Sequence, residues 1–248
     1  MANPEPRIQN ADSAALYSDI AARLAEMRAR IERAAARSGR RGADVRLIAV
    51  SKTFGIEHIR AAVAAGQTEF GENRVQEALQ KIAASADVQI GWHLVGHLQT
   101  NKARKAAESF ACIHSVDSVE LLERLDQAAS EAGTSPELLV QVDLAREATK
   151  HGAAVGEVAA IVAAADRARA ARVRGLMLLP PFEEDPERVR PYFRRLRELR
   201  DQLAARVSPA LLAELSMGMS HDFETAIEEG ATMVRLGTAI FGKRERHV

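Results

Sequence analysis

The sequence predicts an α/β fold: a single TIM-type (β/α)8 barrel with an extra N-terminal helix. Short apolar segments alternate with helical patterns along the chain, which is typical of βα units around a parallel sheet. Eight such apolar segments can be counted, and about 250 residues is the usual size of this barrel. No Pro/Gly/Ser-rich linker divides the chain, so one domain over residues 1–248 is expected, with residues 1–12 flexible.

The first element is a helix predicted over Ser13–Arg37. Its apolar residues recur every three or four positions and form one stripe: Leu16, Ile20, Leu24, Met27 and Ile31. Strands are predicted at Leu47–Val50, Thr68–Phe70, Trp92–Val95, Cys112–Val116, Leu138–Val142, Val173–Leu179, Glu214–Met217 and Met233–Leu236. Helices are predicted between them at Ile56–Ala65, Arg74–Ala84, Thr100–Glu108, Ser118–Glu131, Val155–Arg169, Pro186–Arg206 and Phe223–Glu229.

Composition excludes several classes of partner. Lys+Arg and Asp+Glu balance at 34 each, so the sequence predicts no nucleic-acid partner. No apolar run reaches the length of a membrane span and no signal peptide is recognisable, which favours a cytoplasmic protein without a membrane partner. The one cysteine, Cys112, is expected in the core, and no HxxxH or HxH spacing within one predicted element indicates a metal site.

Lys52 is the first chemical candidate, because it follows the buried strand Leu47–Val50. The carboxyl ends of barrel strands hold the chemistry of this fold. Desolvation there lowers the pKa of an amine and yields a nucleophile that can form a Schiff base. The alternative is a lysine that extends from a strand end into solvent.

Two glycine-containing loops follow the last two strands and suggest an anion site. Ser220 and Asp222 precede one helix, and Gly237 and Thr238 follow the final strand. Backbone N–H groups at neighbouring strand ends can bind phosphate, which barrels often hold after strands seven and eight. The alternative is that these residues only cap a helix and turn the chain. Phosphate together with a Schiff-base lysine points to pyridoxal 5′-phosphate (PLP).

Longer motifs carry a family resemblance. They are Ala49-Val-Ser-Lys-Thr53, Phe70-Gly-Glu-Asn-Arg-Val-Gln-Glu77, Trp92-His-Leu-Val-Gly-His-Leu-Gln-Thr-Asn-Lys102, Gly175-Leu-Met177, Leu215-Ser-Met-Gly-Met-Ser220 and Met233-Val-Arg-Leu-Gly-Thr-Ala-Ile-Phe-Gly242. In combination they closely resemble the pyridoxal phosphate homeostasis proteins, which are related to the barrel domain of alanine racemase. The resemblance covers residues 13–242.

The resemblance implies a role for each matched residue. Lys52 would carry PLP as a Schiff base, and the phosphate would bind at Ser220, Gly237 and Thr238. Arg235 would face the pyridine nitrogen. Four further positions would lie near the cofactor, the last two lining the pocket: Asn73, His93, Ser216 and Met217.

Catalysis is not expected. A guanidinium keeps its protons, so Arg235 facing the pyridine nitrogen would weaken the ring as an electron sink; the alternative is an ion pair of Arg235 with Asp143 or Glu72. Alanine racemases need a second domain and a tyrosine base, whereas Tyr17 and Tyr192 both lie away from strand ends.

The leading hypothesis is therefore a monomeric, non-enzymatic protein that buffers PLP and can deliver it to apo-enzymes. The alternatives are an amino-acid racemase or decarboxylase that uses the same lysine, and a barrel enzyme for another phosphate ester.

Overall fold

The computed structural model describes residues 5–145, 151–207 and 209–243. Its sheet contains nine parallel strands: β1 (Arg46–Val50), β2 (Glu69–Glu72), β3 (Gly91–Leu94), β4 (Cys112–Val116), β5 (Glu137–Asp143), β6 (Ala153–Ala154), β7 (Arg172–Leu178), β8 (Glu214–Met219) and β9 (Met233–Leu236). Eight of them follow the order β4-β3-β2-β1-β9-β8-β7-β5, and pairing of β4 with β5 closes the barrel. The short β6 pairs only with the end of β5.

Helices surround the barrel. They are α1 (Glu5–Arg37), α2 (Ile56–Ala64), α3 (Val75–Ala84), α4 (Ala103–Ser109), α5 (Val119–Ala132), α6 (Val155–Ala165), α7 (Arg190–Ala204), α8 (Phe223–Glu228) and α9 (Thr238–Phe241). Short 3-10 turns at Thr100–Lys102 and Pro186–Arg188 precede α4 and α7, and two others lie at Gly42–Asp44 and Pro209–Leu212. In the described part of the chain, no helix is long and apolar enough to cross a membrane.

The predicted fold class is confirmed. Each of the eight predicted strands is present within two residues of its expected position, while β6, α9 and the 3-10 turns at Gly42–Asp44 and Pro209–Leu212 were not predicted. The first helix begins earlier than expected, at Glu5 rather than Ser13. The flexibility of residues 1–12 stays a prediction, and residues 1–4 lie outside the described residues.

Side-chain alternation along the strands divides the core into two shells. The outer shell, between strands and helices, includes Phe70 and Trp92, whose ring centroids are 5.8 Å apart. A smaller cluster inside the barrel contains Cys112, which is buried as expected, packed with Met177 and Met233. Full burial of one large apolar side chain contributes about 2 kcal/mol, so the outer shell supplies most of the stabilisation.

Charged side chains fill the amino-terminal end of the barrel. Arg46, the first residue of β1, lies 3.5 Å from Glu69, 3.2 Å from Glu137 and 3.6 Å from Glu214. All three glutamates begin strands, so strand register brings their carboxylates around one guanidinium. This end of a barrel contributes stability, whereas the opposite end holds the chemistry.

Candidate functional site

A cleft of about 480 Å³ opens at the carboxyl ends of the barrel strands. Its walls are apolar where Val50, Val95, Leu179 and Met219 line them. The described lining also contains Lys52 and Arg235 but no acidic side chain. The cleft is therefore electropositive and suited to an anionic ligand with an apolar body.

Lys52 enters this cleft from the turn that follows β1. The next residue, Thr53, has φ of +68°, a left-handed conformation that a β-branched residue rarely adopts. Its backbone N–H donates to Glu77 Oε1 over 2.6 Å, which helps to hold the turn in this conformation. Backbone strain of this kind persists only where surrounding contacts fix it, and it concentrates at functional sites.

A buried ionic cluster lies behind the Lys52 turn. Lys81 Nζ donates to Glu72 Oε1 (2.7 Å), to Glu77 Oε1 (2.8 Å) and to the carbonyl oxygen of Ser51 (2.8 Å). The Ser51 hydroxyl also donates to Glu72 Oε1, over 2.6 Å. Burial raises the pKa of Glu72 above its ordinary value even though Lys81 and Ser51 oppose the shift. Burial also tends to raise the pKa of Glu77, but the hydrogen bonds from Lys81 and the Thr53 N–H hold that pKa below its ordinary value.

The two loops predicted to bind an anion meet on one side of the cleft. The backbone N–H groups of Gly237 and Ala239 donate to Ser220 Oγ over 3.2 and 3.3 Å. A Cβ atom on Gly237 would lie 3.3 Å from the carbonyl oxygen of Val50, so glycine allows β9 to approach β1 closely here. Ser220 therefore joins the two loops and bonds to N–H groups at the start of α9 rather than capping α8. Asp222 instead closes its own turn by accepting from the N–H of Met219 over 2.6 Å.

Arg235 projects from β9 into the interior side of the cleft and is 4 % exposed. Nη1 donates to Ser216 Oγ over 2.6 Å and Nη2 donates to the carbonyl oxygen of Leu178 over 2.9 Å. Complete burial lowers the pKa of Arg235 to about 10, and Asp222 opposes the shift. The guanidinium therefore stays protonated at neutral pH. It does not pair with Glu72, whose carboxylate bonds to Lys81 outside the barrel.

The structure brings six of the nine predicted site residues into the cleft lining: Lys52, Asn73, Ser220, Arg235, Gly237 and Thr238. Ser216 and His93 instead lie in the barrel interior, while Met217 packs in the outer core. The reason is that β8 continues to Met219, two residues beyond its predicted end, so that Ser216 lies mid-strand. In an alternating strand its neighbour Met217 then faces the helices.

Several lining residues were not predicted as site residues. They include His97, Phe182 and His221. The ring of Phe182 is 76 % exposed and lies 5.5 Å from the ring of His221. His97 stacks on His151 with 3.6 Å between ring centroids at the mouth of the cleft, and desolvation together with His151 lowers the pKa of His97.

Two buried histidines and the cysteine come together from neighbouring strands, which no spacing on a single element could reveal. Ligand atoms of His93, Cys112 and His114 lie within 4.8 Å of one another. The two rings already bond to each other, with 2.9 Å between His93 Nδ1 and His114 Nε2. Burial raises the pKa of the Cys112 thiol well above its ordinary value, so the thiolate that a metal requires is disfavoured.

Comparison with known proteins agrees with this architecture. A family model described as alanine racemase, N-terminal domain, matches residues 22–245. The pyridoxal phosphate homeostasis protein of Aquifex aeolicus is 43% identical over 223 residues, which are 90% of this chain and 97% of that protein.

Two solved structures extend the comparison. PipY of Synechococcus elongatus PCC7942, solved with PLP bound, is 42% identical with a TM-score of 0.81, covering 90% of this chain and 100% of that one. Alanine racemase of Clostridium difficile 630 is 15% identical and shows the fold alone, with a TM-score of 0.66 over 82% of this chain and 54% of that one. The chain therefore belongs to the pyridoxal phosphate homeostasis protein family and carries the alanine racemase N-terminal domain.

Proposed function

We propose that the chain binds PLP reversibly through a Schiff base on Lys52 and serves as an intracellular, cytoplasmic store of this cofactor. The observation that carries the proposal is the cleft itself, in which a lysine, a buried arginine and two anion-binding loops line one electropositive space. The 42% identical relative with PLP bound supports the same ligand class.

The residues of the cleft fit this ligand. In this structure Ser220 Oγ accepts from the N–H groups of Gly237 and Ala239, and a phosphate would replace it as their acceptor while itself accepting from the Ser220 hydroxyl. The apolar walls formed by Val50 and Leu179 would cover the ring. Lys52 would supply the amine that condenses with the aldehyde, with release of water.

Arg235 would set the electronic character of the bound ring. When bound, PLP supplies an electron-withdrawing ring that can stabilise a carbanion, most strongly when its nitrogen is protonated. A guanidinium carries donors only, so Arg235 facing that nitrogen leaves it an acceptor without a proton. Neither tyrosine is among the described lining residues, and Tyr17 lies in α1, outside the barrel. These features favour storage over racemisation or decarboxylation.

The first experiment is a visible spectrum of the protein with PLP, followed by borohydride reduction and peptide mass mapping. We expect a pyridoxyl adduct on Lys52 and no change in added L-alanine or other amino acids. Lys52→Ala should abolish the absorbance band of the linkage, while Lys105→Ala, on the exposed face of α4, should keep it. A full band in Lys52→Ala would reject the site, and turnover of an amino acid by the native chain would establish the racemase or decarboxylase alternative.

We further propose that the protein acts as a monomer and can pass PLP to apo-enzymes. Equilibrium sedimentation of the loaded protein tests the first point, and a mass of two chains would reject it. For the second, a loaded sample and an apo-enzyme are mixed directly or separated by a dialysis membrane. Faster activation in the mixture than across the membrane is expected; equal rates after correction for diffusion would mean that release into solution suffices.

A further inference from the structure

A continuous line of polar side chains runs through the barrel below the cleft. It begins at Arg235, whose Nη1 lies 2.6 Å from Ser216 Oγ. Ser216 Oγ lies 2.9 Å from His114 Nδ1, and His114 Nε2 lies 2.9 Å from His93 Nδ1. His93 Nε2 then lies 3.7 Å from Glu69 Oε1, at the amino-terminal end of the barrel. These five residues, from Arg235 to Glu69, are called the interior chain below.

Hydrogen-bonding capacity fixes the direction of every contact in the interior chain. The carboxylate of Glu69 can only accept, so the ring nitrogen of His93 that faces it, Nε2, carries the proton. Nδ1 of His93 then accepts from Nε2–H of His114, which leaves Nδ1 of His114 as an acceptor for the Ser216 hydroxyl. Arg235 can only donate, and Ser216 Oγ accepts from it. All donors therefore point from the guanidinium towards the carboxylate.

The electrostatics of both ends agree with this direction. Burial lowers the pKa of His114 well below its ordinary value, and the positive charges of Arg235 and Arg46 act in the same direction, so its ring is neutral. Burial acts against ionisation of Glu69, but His93 and Arg46 hold its pKa below the ordinary value, so it is a carboxylate. A cation at one end and an anion at the other select one of the two tautomers of each histidine.

We propose that Ser216, His114 and His93 are positioning residues, which orient the guanidinium of Arg235 towards the ligand cleft through hydrogen bonds whose single direction is set by the Glu69 carboxylate, 3.7 Å from His93 Nε2. Ser216 and the carbonyl oxygen of Leu178 hold the two terminal nitrogens of Arg235 from the interior side. The guanidinium plane is thereby fixed before a ligand enters. The expected effect on PLP affinity rests on the proposed function, whereas the hydrogen bonds of the interior chain do not depend on it.

The first test uses the protein without cofactor. Long-range ¹H–¹⁵N NMR of uniformly labelled protein reports the tautomer of each histidine. We expect both rings to carry a proton on Nε2 and none on Nδ1. A proton on Nδ1 of either ring, or a charged His114, would overturn the proposed direction. Tight binding of added zinc with loss of both N–H signals would assign His93, Cys112 and His114 to a metal site instead.

The second test separates positioning from simple packing. Ser216→Ala removes the acceptor of Arg235, and we expect the PLP dissociation constant to rise about tenfold, the effect of losing one hydrogen bond to a charged group. His114 should lose its single tautomer in the same variant. Ser216→Thr keeps the hydroxyl and should recover most of the affinity. Ser115→Ala is the matched control, because Ser115 is 1 % exposed and its hydroxyl has no hydrogen-bond partner.

The outcomes distinguish this inference from the proposed function. Native protein that binds PLP on Lys52, together with an unchanged affinity in Ser216→Ala, would reject the positioning role and leave the storage function intact. Native protein that fails to bind PLP would reject the storage function, while the tautomers measured without cofactor would still decide the interior chain. If Ser216→Ala does not fold, the NMR of the native protein and the affinity of Ser216→Thr remain decisive.

Discussion

Lys81 is the residue whose removal should affect the candidate site most from outside the cleft. Its ammonium is the cation bound to the fully buried Glu72, and it also bonds to Glu77 and to the carbonyl of Ser51. Removing one partner of a buried ion pair leaves the other charge uncompensated. We expect Lys81→Met to lower the free energy of unfolding by about 3 kcal/mol, measured by urea denaturation.

The control is Lys105→Met on the exposed face of α4, which should change the stability by less than about 0.5 kcal/mol. Adding Glu72→Gln to Lys81→Met removes the stranded charge and should recover part of the loss. Equal losses in the single and double variants would mean that the ion pair is not the reason for the destabilisation.

Among the structural elements, the end of β8 before the turn to α8 has little tolerance for a side chain at Gly218. Gly218 has φ of +92°, and an added Cβ would lie 2.6 Å from Ala226 Cβ and 2.9 Å from Phe223 Cα. We expect Gly218→Ala to cost about 3 kcal/mol in unfolding free energy, since backbone strain and overpacking add.

Gly156→Ala is the matched control, because Gly156 lies on the exposed side of α6 and an added Cβ there meets no atom within 4 Å. It should be neutral or stabilise the protein by up to about 1 kcal/mol. The difference in unfolding free energy between the two alanine variants, measured by urea denaturation, gives the cost of adding a Cβ at Gly218. Equal stability of the two variants would contradict the expected steric clash.

Element positions were predictable where one local pattern decides them and not where distant residues intervene. The strands are buried on both faces and were found from short apolar runs. The end of α6 was placed at Arg169 but falls at Ala165, because Asp126 on α5 accepts hydrogen bonds from the N–H groups of Arg169, Ala170 and Ala171. The sequence pattern of α6 cannot reveal this contact, because Asp126 belongs to another helix.

The candidate site divides in the same way. Lys52, Ser220 and Gly237 were predicted because residues that follow parallel strands gather at one end of a barrel. Glu72 was weighed as a partner of Arg235, but the alternation of β2 turns it outward to Lys81. The partners of Ser216 lie on two other strands, and only the closed barrel brings them within bonding distance.

At the scale of the molecule, α1 packs against helices that follow the first strand of the barrel and helices that flank the last one. It contacts α2, α8 and α9, and its apolar stripe includes the fully buried Leu24. We expect Leu24→Ala to destabilise the whole protein by about 3 kcal/mol, because a cavity forms where this helix meets the barrel.

Glu26→Ala, on the exposed face of the same helix, should change the unfolding free energy by less than about 0.5 kcal/mol. When unfolding is monitored by circular dichroism, both variants should show one cooperative transition. A first transition in which only α1 unfolds in Leu24→Ala would show that this helix unfolds independently of the barrel.

The strand order also determines when the barrel can close during synthesis of the chain. β1 pairs with β9, so the barrel stays open until the final strand has left the ribosome. Lys52 is made before Ser220 and Gly237, which line the same cleft. A growing chain therefore exposes the lysine long before the two loops predicted to bind an anion exist. The complete cleft arises only after β9 and the residues that follow it have been made.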